Sequence, residues 1–110
     1  DNEGFEELFR RYLVGHGWDV IGARDGTQAR ALIAQVRPTA ILLDVLMPQE
    51  DGWDLLMALQ RDETTRAIPI IVCSAWGEPE LAKSLGANYF LRKPIVQKEL
   101  LEILENVIEE

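Results

Sequence analysis

Three polar side chains in this chain stand at the ends of apolar runs. Asp44 follows Ala40-Ile41-Leu42-Leu43, Ser74 ends the run Ile68 to Cys73 thirty residues later, and Lys93 stands before Pro94 after Tyr89-Phe90-Leu91. A carboxylate, a hydroxyl and an amine offer an oxygen nucleophile or cation ligand, a hydrogen-bond donor and a positive charge. Each also has an ordinary use. An Asp at a strand end can start an Asx-turn, a Ser after a strand is mostly a turn or cap former, and Lys-Pro is a common turn. Taken one at a time, these residues leave both readings open.

The elements that must position them alternate. The Ala40–Leu43 run, bounded by breakers and followed by a turn closed by Pro48 and Gly52, reads as a strand buried on both faces, as in a parallel sheet. Ligands of open α/β sheets bind outside the carboxyl ends of the strands, which is where Asp44 stands. Upstream, Phe5, Leu8, Phe9, Tyr12 and Leu13 repeat at helical spacing, predicting an amphipathic helix over Glu3 to His16, capped by Asp1 or Asn2 and closed by Gly17. Trp18 to Ala23 reads as an edge strand, Asp25-Gly26 as a turn, and Thr27 to Val36 as a second helix that Arg37-Pro38 ends. The strand at Asp44 spans Thr39 to Asp44.

Downstream, Leu55, Leu56 and Leu59 mark a helix over Trp53 to Arg61, and Ile68 to Cys73 is a strand with Pro69 near its start. Glu78 to Leu85 is a short helix closed by Gly86, and Asn88 to Leu91 is a strand. The last helix, Val96 to Glu109, buries Leu100, Ile103, Leu104, Val107 and Ile108. Strand and helix alternating throughout predict an α/β fold with a parallel sheet covered on both faces.

The residues around Asp44, together with Ser74 and Lys93-Pro94 in the same order and spacing, resemble the phosphorylation site of two-component response regulator receiver domains. The resemblance covers nearly the whole chain. It implies a flavodoxin-like doubly wound sheet of family order 2-1-3-4-5, in which Asp, Ser or Thr, and Lys-Pro end the third, fourth and fifth strands. Family members begin with a strand that lies inside the sheet and ends in an acidic pair. Here Asp1, directly ahead of the first helix, aligns with the later acid of that pair, so residues 1–110 are expected to form a single receiver domain that is N-terminally incomplete. A sheet without an interior strand leaves unpaired backbone along two facing strands. Residues preceding Asp1 in the intact protein are expected to supply it; the alternative is that something else, such as a neighbouring molecule's strand, fills the gap.

The resemblance also assigns roles. Asp44 would be the phosphoryl acceptor, giving an aspartyl phosphate. Mg²⁺, a hard ion that keeps several waters, would be held by Asp1, Asp44 and the backbone carbonyl of Leu46. Lys93 would place its charge on a phosphoryl oxygen and Ser74 would donate its hydroxyl. Ala75, small and next to Ser74, would leave the site open. Phosphorylation would draw Ser74 inward, and Phe90, three residues before Lys93, would follow as a steric switch; an ordinary core Phe is the other reading. The segment from Ser74 to Lys93 is shorter than is usual in the family, which shortens the fourth helix.

Composition limits the rest. With 110 residues, 47% hydrophobic and 27% charged, the chain suits one globular domain. A net charge of −8 opposes direct binding to nucleic acid or an anionic membrane, and suits a site that gathers a cation. The single cysteine, Cys73, rules out an internal disulfide and fits a cytoplasmic location. His16, the one histidine, builds neither a metal cluster nor a catalytic triad, and Trp53 and Trp76 read as packing or rim residues. The expected partner is a histidine kinase or phosphotransfer protein, with a homodimer through the last helix and strand face as a further expectation, and no enzymatic turnover beyond the protein's own phosphorylation and dephosphorylation. Two alternatives compete: a receiver-shaped binding module that takes no phosphate, and an Asp-nucleophile phosphohydrolase. Phosphatases of the haloacid dehalogenase type carry a second Asp two residues on, where this chain has Leu46.

Overall fold

The computed structural model describes residues 2–23, 26–44, 46–47, 50–74 and 79–109. Among these the chain forms helix α1 (Asn2–Leu13), α2 (Gly26–Val36), strands β1 (Ile41–Asp44), β2 (Leu46–Met47) and β3 (Glu50–Asp51), α3 (Gly52–Arg61), β4 (Ile70–Ser74), α4 (Pro79–Ser84), β5 (Tyr89–Arg92) and α5 (Gln97–Glu109). β1, β4 and β5 form a parallel sheet in the order β1-β4-β5, and β2 pairs antiparallel with β3 in a hairpin just past β1.

The period-2 geometry of β4 divides the core. Ile70 and Val72 point to one face, where they meet Ile33 of α2, Leu55, Leu56 and Leu59 of α3, and Ala82 of α4. Ile71 and Cys73 point to the other, against Phe9 and Leu13 of α1 and Leu100 and Leu104 of α5. All five residues of β4 are buried, as the unbroken apolar run requires of a central parallel strand. The result is the doubly wound α/β architecture expected from the sequence.

Several boundaries move. α1 stops at Leu13, three residues before His16, because Gly15 takes a φ of +81° that ends the helix ahead of Gly17. α2 ends as expected before Arg37-Pro38, with Arg37 itself at a left-handed φ of 56°. The hairpin of β2 and β3 replaces a plain turn. Ile108, placed on the buried face of α5 by its spacing, is 64% exposed, whereas Leu100, Leu104 and Val107 are buried.

The largest correction concerns Trp18 to Ala23, which forms no strand. A strand exists only with a ladder partner, and among the described residues this segment has none. The Arg10 guanidinium donates to the Val20 carbonyl at 3.1 Å, holding the segment to α1. Between the segment and the outer side of β1 lies a cavity of about 650 Å³. Among the described residues the three-stranded order contains the part of the family sheet formed by the strands at Asp44, Ser74 and Lys93.

Candidate functional site

Parallel register brings the three chemical residues to one edge of the sheet. Asp44 pairs in register with Cys73, so Ser74 lies one step beyond it; Ser74 pairs with Arg92, so Lys93 lies one step beyond that. The Lys93 backbone N–H donates to the Ser74 carbonyl at 2.9 Å, extending the β4–β5 ladder by one bond. The turn after it carries a cis Lys93-Pro94 peptide.

The Lys93 side chain crosses over β4 to Asp44. Its Nζ donates to Asp44 Oδ2 at 2.9 Å, an ion pair in which the carboxylate side chain is 9% exposed and the lysine side chain 29%. The lysine is thus the more exposed partner of the pair. Charge assistance strengthens such a bond, and low exposure reduces its screening. Ser74 is buried at the end of β4. Asp44, Ser74 and Lys93, read separately from the sequence, thus converge at the carboxyl ends of three adjacent strands.

The neighbouring thiol shows the site's electrostatics. The Cys73 thiol is pushed up to about 12, chiefly by burial, with the Asp44 charge adding to the rise and Lys93 opposing it. Cys73 stays a protonated core residue and not a nucleophile, as expected for a thiol inside an apolar strand.

Phe90 sits on β5 in register with Val72, half-buried against the face that carries Leu55, Leu56 and Leu59. Its position serves packing directly. Asp1, Ala75 and Trp76 lie outside the described residues, as do the side chains of Leu46 and Trp53. The backbone of Leu46 is in β2, two residues past Asp44, and pairs with Asp51. Among the described residues no group of three or more His, Cys, Asp or Glu side chains could hold a metal ion. The oxygen donors that are described, the Asp44 carboxylate and the Leu46 carbonyl, are the hard kind that Mg²⁺ takes, and that ion completes its shell with water. The donor set fits Mg²⁺.

Tyr12 and Gln97 brace the lysine turn. The Tyr12 hydroxyl donates to the Ile95 carbonyl at 2.8 Å, and Gln97 Nε2 donates to the Tyr12 carbonyl at 2.9 Å. Together they tie α1 to the segment that follows Lys93. In sequence Tyr12 reads only as part of the apolar stripe of α1, and nothing local marks what its hydroxyl meets.

A family model described as the response regulator receiver domain matches residues 1–105. This chain belongs to that family. As a receiver domain it is similar to the polar-differentiation response regulator DivK of Brucella anthropi, 30% identical over 111 residues that cover 98% of this chain and 90% of DivK. It is also 34% identical to the DNA-binding dual master transcriptional regulator RpaA of Synechocystis, over 92% of this chain but only 43% of RpaA. The receiver therefore spans less than half the length of that relative.

Among solved structures, a putative response regulator from Chloroflexus aurantiacus superposes with a TM-score of 0.91 at 29% identity, covering 100% of this chain and 93% of that one. The receiver domain of a sensor histidine kinase from Pseudomonas aeruginosa superposes with a TM-score of 0.86, again at 29% identity and with 100% and 93% covered, and that protein has a magnesium ion coordinated in its active site cleft. The flavodoxin-like receiver fold and the two-component setting follow from these matches.

Proposed function

We propose that this receiver accepts a phosphoryl group on Asp44 from a histidine kinase or phosphotransfer protein and switches a partner surface in response. The observation that carries the reading is the Lys93 ammonium held 2.9 Å from the Asp44 carboxylate at the mouth of the site. In the reaction, an Asp44 oxygen attacks the donor's phosphorus. The bond from phosphorus to the donor's nitrogen breaks, its electron pair returns to the donor, and an acyl phosphate forms on Asp44. Such transfers are catalysed by positioning and charge more than by covalent chemistry.

Lys93 serves both needs. Paired with the carboxylate in the resting state, it lies where the transferred oxygens arrive and takes up their charge as the carboxylate gives up its own. Ser74, at the end of the adjacent strand, supplies a hydroxyl donor to the same oxygens. Mg²⁺, held by Asp44, the Leu46 carbonyl and Asp1, would neutralise charge on the phosphoryl group when bound. Leu46 leaves no acid/base two residues past the nucleophile, so release of phosphate is slow and the protein acts as a switch without turnover of a separate substrate.

Switching follows from the position of Ser74 and Phe90 on adjacent strands. Inward movement of the Ser74 segment toward the phosphoryl group opens room for Phe90, which has no hydroxyl and transmits a steric change alone. The surface that responds is the β5–α5 face, where a kinase, an output partner or a second receiver docks. A cytoplasmic location suits this role, and no helix among the described residues is long and apolar enough to cross a membrane.

The test is incubation with acetyl phosphate and Mg²⁺ followed by mass spectrometry of the intact protein. One added phosphoryl group, absent in Asp44→Asn, supports the acceptor reading. No modification of the folded protein favours the binding module, and steady release of phosphate from a monoester favours a hydrolase.

A further inference from the structure

Lys93 works at the end of a long arm. It ends β5 and Asp44 ends β1, with β4 between them, so their backbones stand roughly 10 Å apart. The amine closes that span to a bond of 2.9 Å. Extended, the lysine side chain is an arm of about 6 Å. Turning its base by about 10° moves the amine by about 1 Å, and a misplacement of that size costs up to about 10²-fold in rate. The direction in which the Lys93 backbone points its side chain is therefore part of the site.

That direction is set by the backbone on either side. Ahead of the side chain, the Lys93 N–H donates to the Ser74 carbonyl at 2.9 Å. Beyond it, the bonding of α5 begins at Val96, whose carbonyl accepts from the Leu100 N–H at 3.1 Å. Pro94 and Ile95 lie between these two bonds, and Pro94 has no N–H to give. What ladder and helix leave loose, α1 holds. The Ile95 side chain is buried in the core that α1 shares through Phe9 and Leu13. Its carbonyl accepts from the Tyr12 hydroxyl at 2.8 Å, and Gln97, the first residue of α5, donates from Nε2 to the Tyr12 carbonyl at 2.9 Å. The two bonds run in opposite directions between the same two segments and close a ring. One bond lets a segment pivot; two spaced bonds do not.

We infer that Tyr12 and Gln97 are positioning residues for phosphoryl transfer, clamping the link from Lys93 to Ile95 so that the amine is aimed at Asp44. Both act through the backbone of the lysine turn. The effect on rate rests on Asp44 as the phosphoryl acceptor, whereas the effect on the link does not. Asp44 and the Leu46 carbonyl, the described Mg²⁺ donors, belong to β1 and β2 and lie outside the clamp, so the clamp leaves the demand for the ion unchanged.

The test uses two substitutions at Gln97. Gln97→Met keeps the length and helix preference of the side chain and removes its donor, and Gln97→Lys restores a donor of similar reach. In Gln97→Met the Lys93 amide should exchange with solvent about fivefold faster, while that of Val72 in the centre of β4, which reports global unfolding, stays within about twofold. Labelling by saturating acetyl phosphate should slow about fivefold, with the half-saturating Mg²⁺ concentration unchanged. Gln97→Lys should recover most of both losses, and Tyr12→Phe, which breaks the other bond of the ring, should show the same pattern as Gln97→Met. Unchanged exchange at Lys93 overturns the proposal, as does equal acceleration at Lys93 and Val72. So does a labelling rate that stays unchanged, that falls only through a raised Mg²⁺ requirement, or that Gln97→Lys fails to restore. Amide exchange needs no phosphorylation. A wild-type protein that takes no phosphoryl group therefore contradicts the acceptor reading, while exchange at Lys93 decides the clamp separately.

Discussion

Lys93 Nζ lies 2.9 Å from Asp44 Oδ2 across 49 residues of sequence, with the carboxylate nearly enclosed and the amine reaching water. The contact joins the ends of β5 and β1 over the end of β4, so one ion pair reports on the register of the whole parallel sheet.

Removing the amine leaves a carboxylate with little access to water. Lys93→Ala should lower stability by about 1–2 kcal/mol, less than for a fully buried pair because the amine is partly solvated. Phosphorylation by acetyl phosphate should slow by about 10²-fold, as for loss of one charge-stabilising donor. Lys93→Arg should recover part of the stability but little of the rate, because a planar fork does not replace a point charge at this spacing. Urea denaturation and single-turnover labelling measure the two effects.

Tyr12→Phe tests the brace on the lysine turn. Loss of the 2.8 Å bond to the Ile95 carbonyl should cost about 1 kcal/mol. If the brace positions Lys93, the labelling rate falls by more than this loss of stability explains, at temperatures where the variant is fully folded. An unchanged rate limits Tyr12 to packing.

The fold was legible where local pattern and burial agree. The continuous run Ile68 to Cys73 predicts a strand enclosed on both faces, and β4 is that strand. The stripe of Leu55, Leu56 and Leu59 predicts the buried side of α3. Trp18 to Ala23 failed because strand formation depends on a partner that no local pattern reveals, and Ile108 failed because helical spacing does not show which end of the stripe the rest of the fold leaves uncovered. At the site, residue types and order pointed to Asp44, Ser74 and Lys93. The distance between amine and carboxylate and the bond from Tyr12 to Ile95 required the tertiary packing of elements far apart in sequence.

The core between the sheet and α3 should respond most strongly to truncation. Leu56 is fully buried among Ile70, Val72 and Ala82, and Leu56→Ala should cost about 2–5 kcal/mol through lost transfer energy and the cavity left behind. Denaturant titration should show this as a lower midpoint with an unchanged slope.

Alkaline pH should expose the buried thiol. Cys73 titrates near 9 in the unfolded chain and at about 12 in the fold, so the folded state holds its proton longer. Its contribution is fully present below pH 9 and declines as pH rises from 9 toward 12, by about 1.4 kcal/mol per pH unit at most. Cys73→Ala should be less stable at neutral pH and should flatten the stability–pH curve over that window, as followed by equilibrium unfolding at fixed ionic strength.

The most direct measurement is to locate the phosphoryl group. An acyl phosphate on an aspartate is reduced by borohydride to homoserine, which peptide sequencing by mass spectrometry identifies. After treatment with acetyl phosphate and Mg²⁺, homoserine should appear at position 44 and at no other aspartate, and Lys93→Ala should diminish its yield. Homoserine at another position, or none in a protein shown to be folded, contradicts Asp44 as the acceptor.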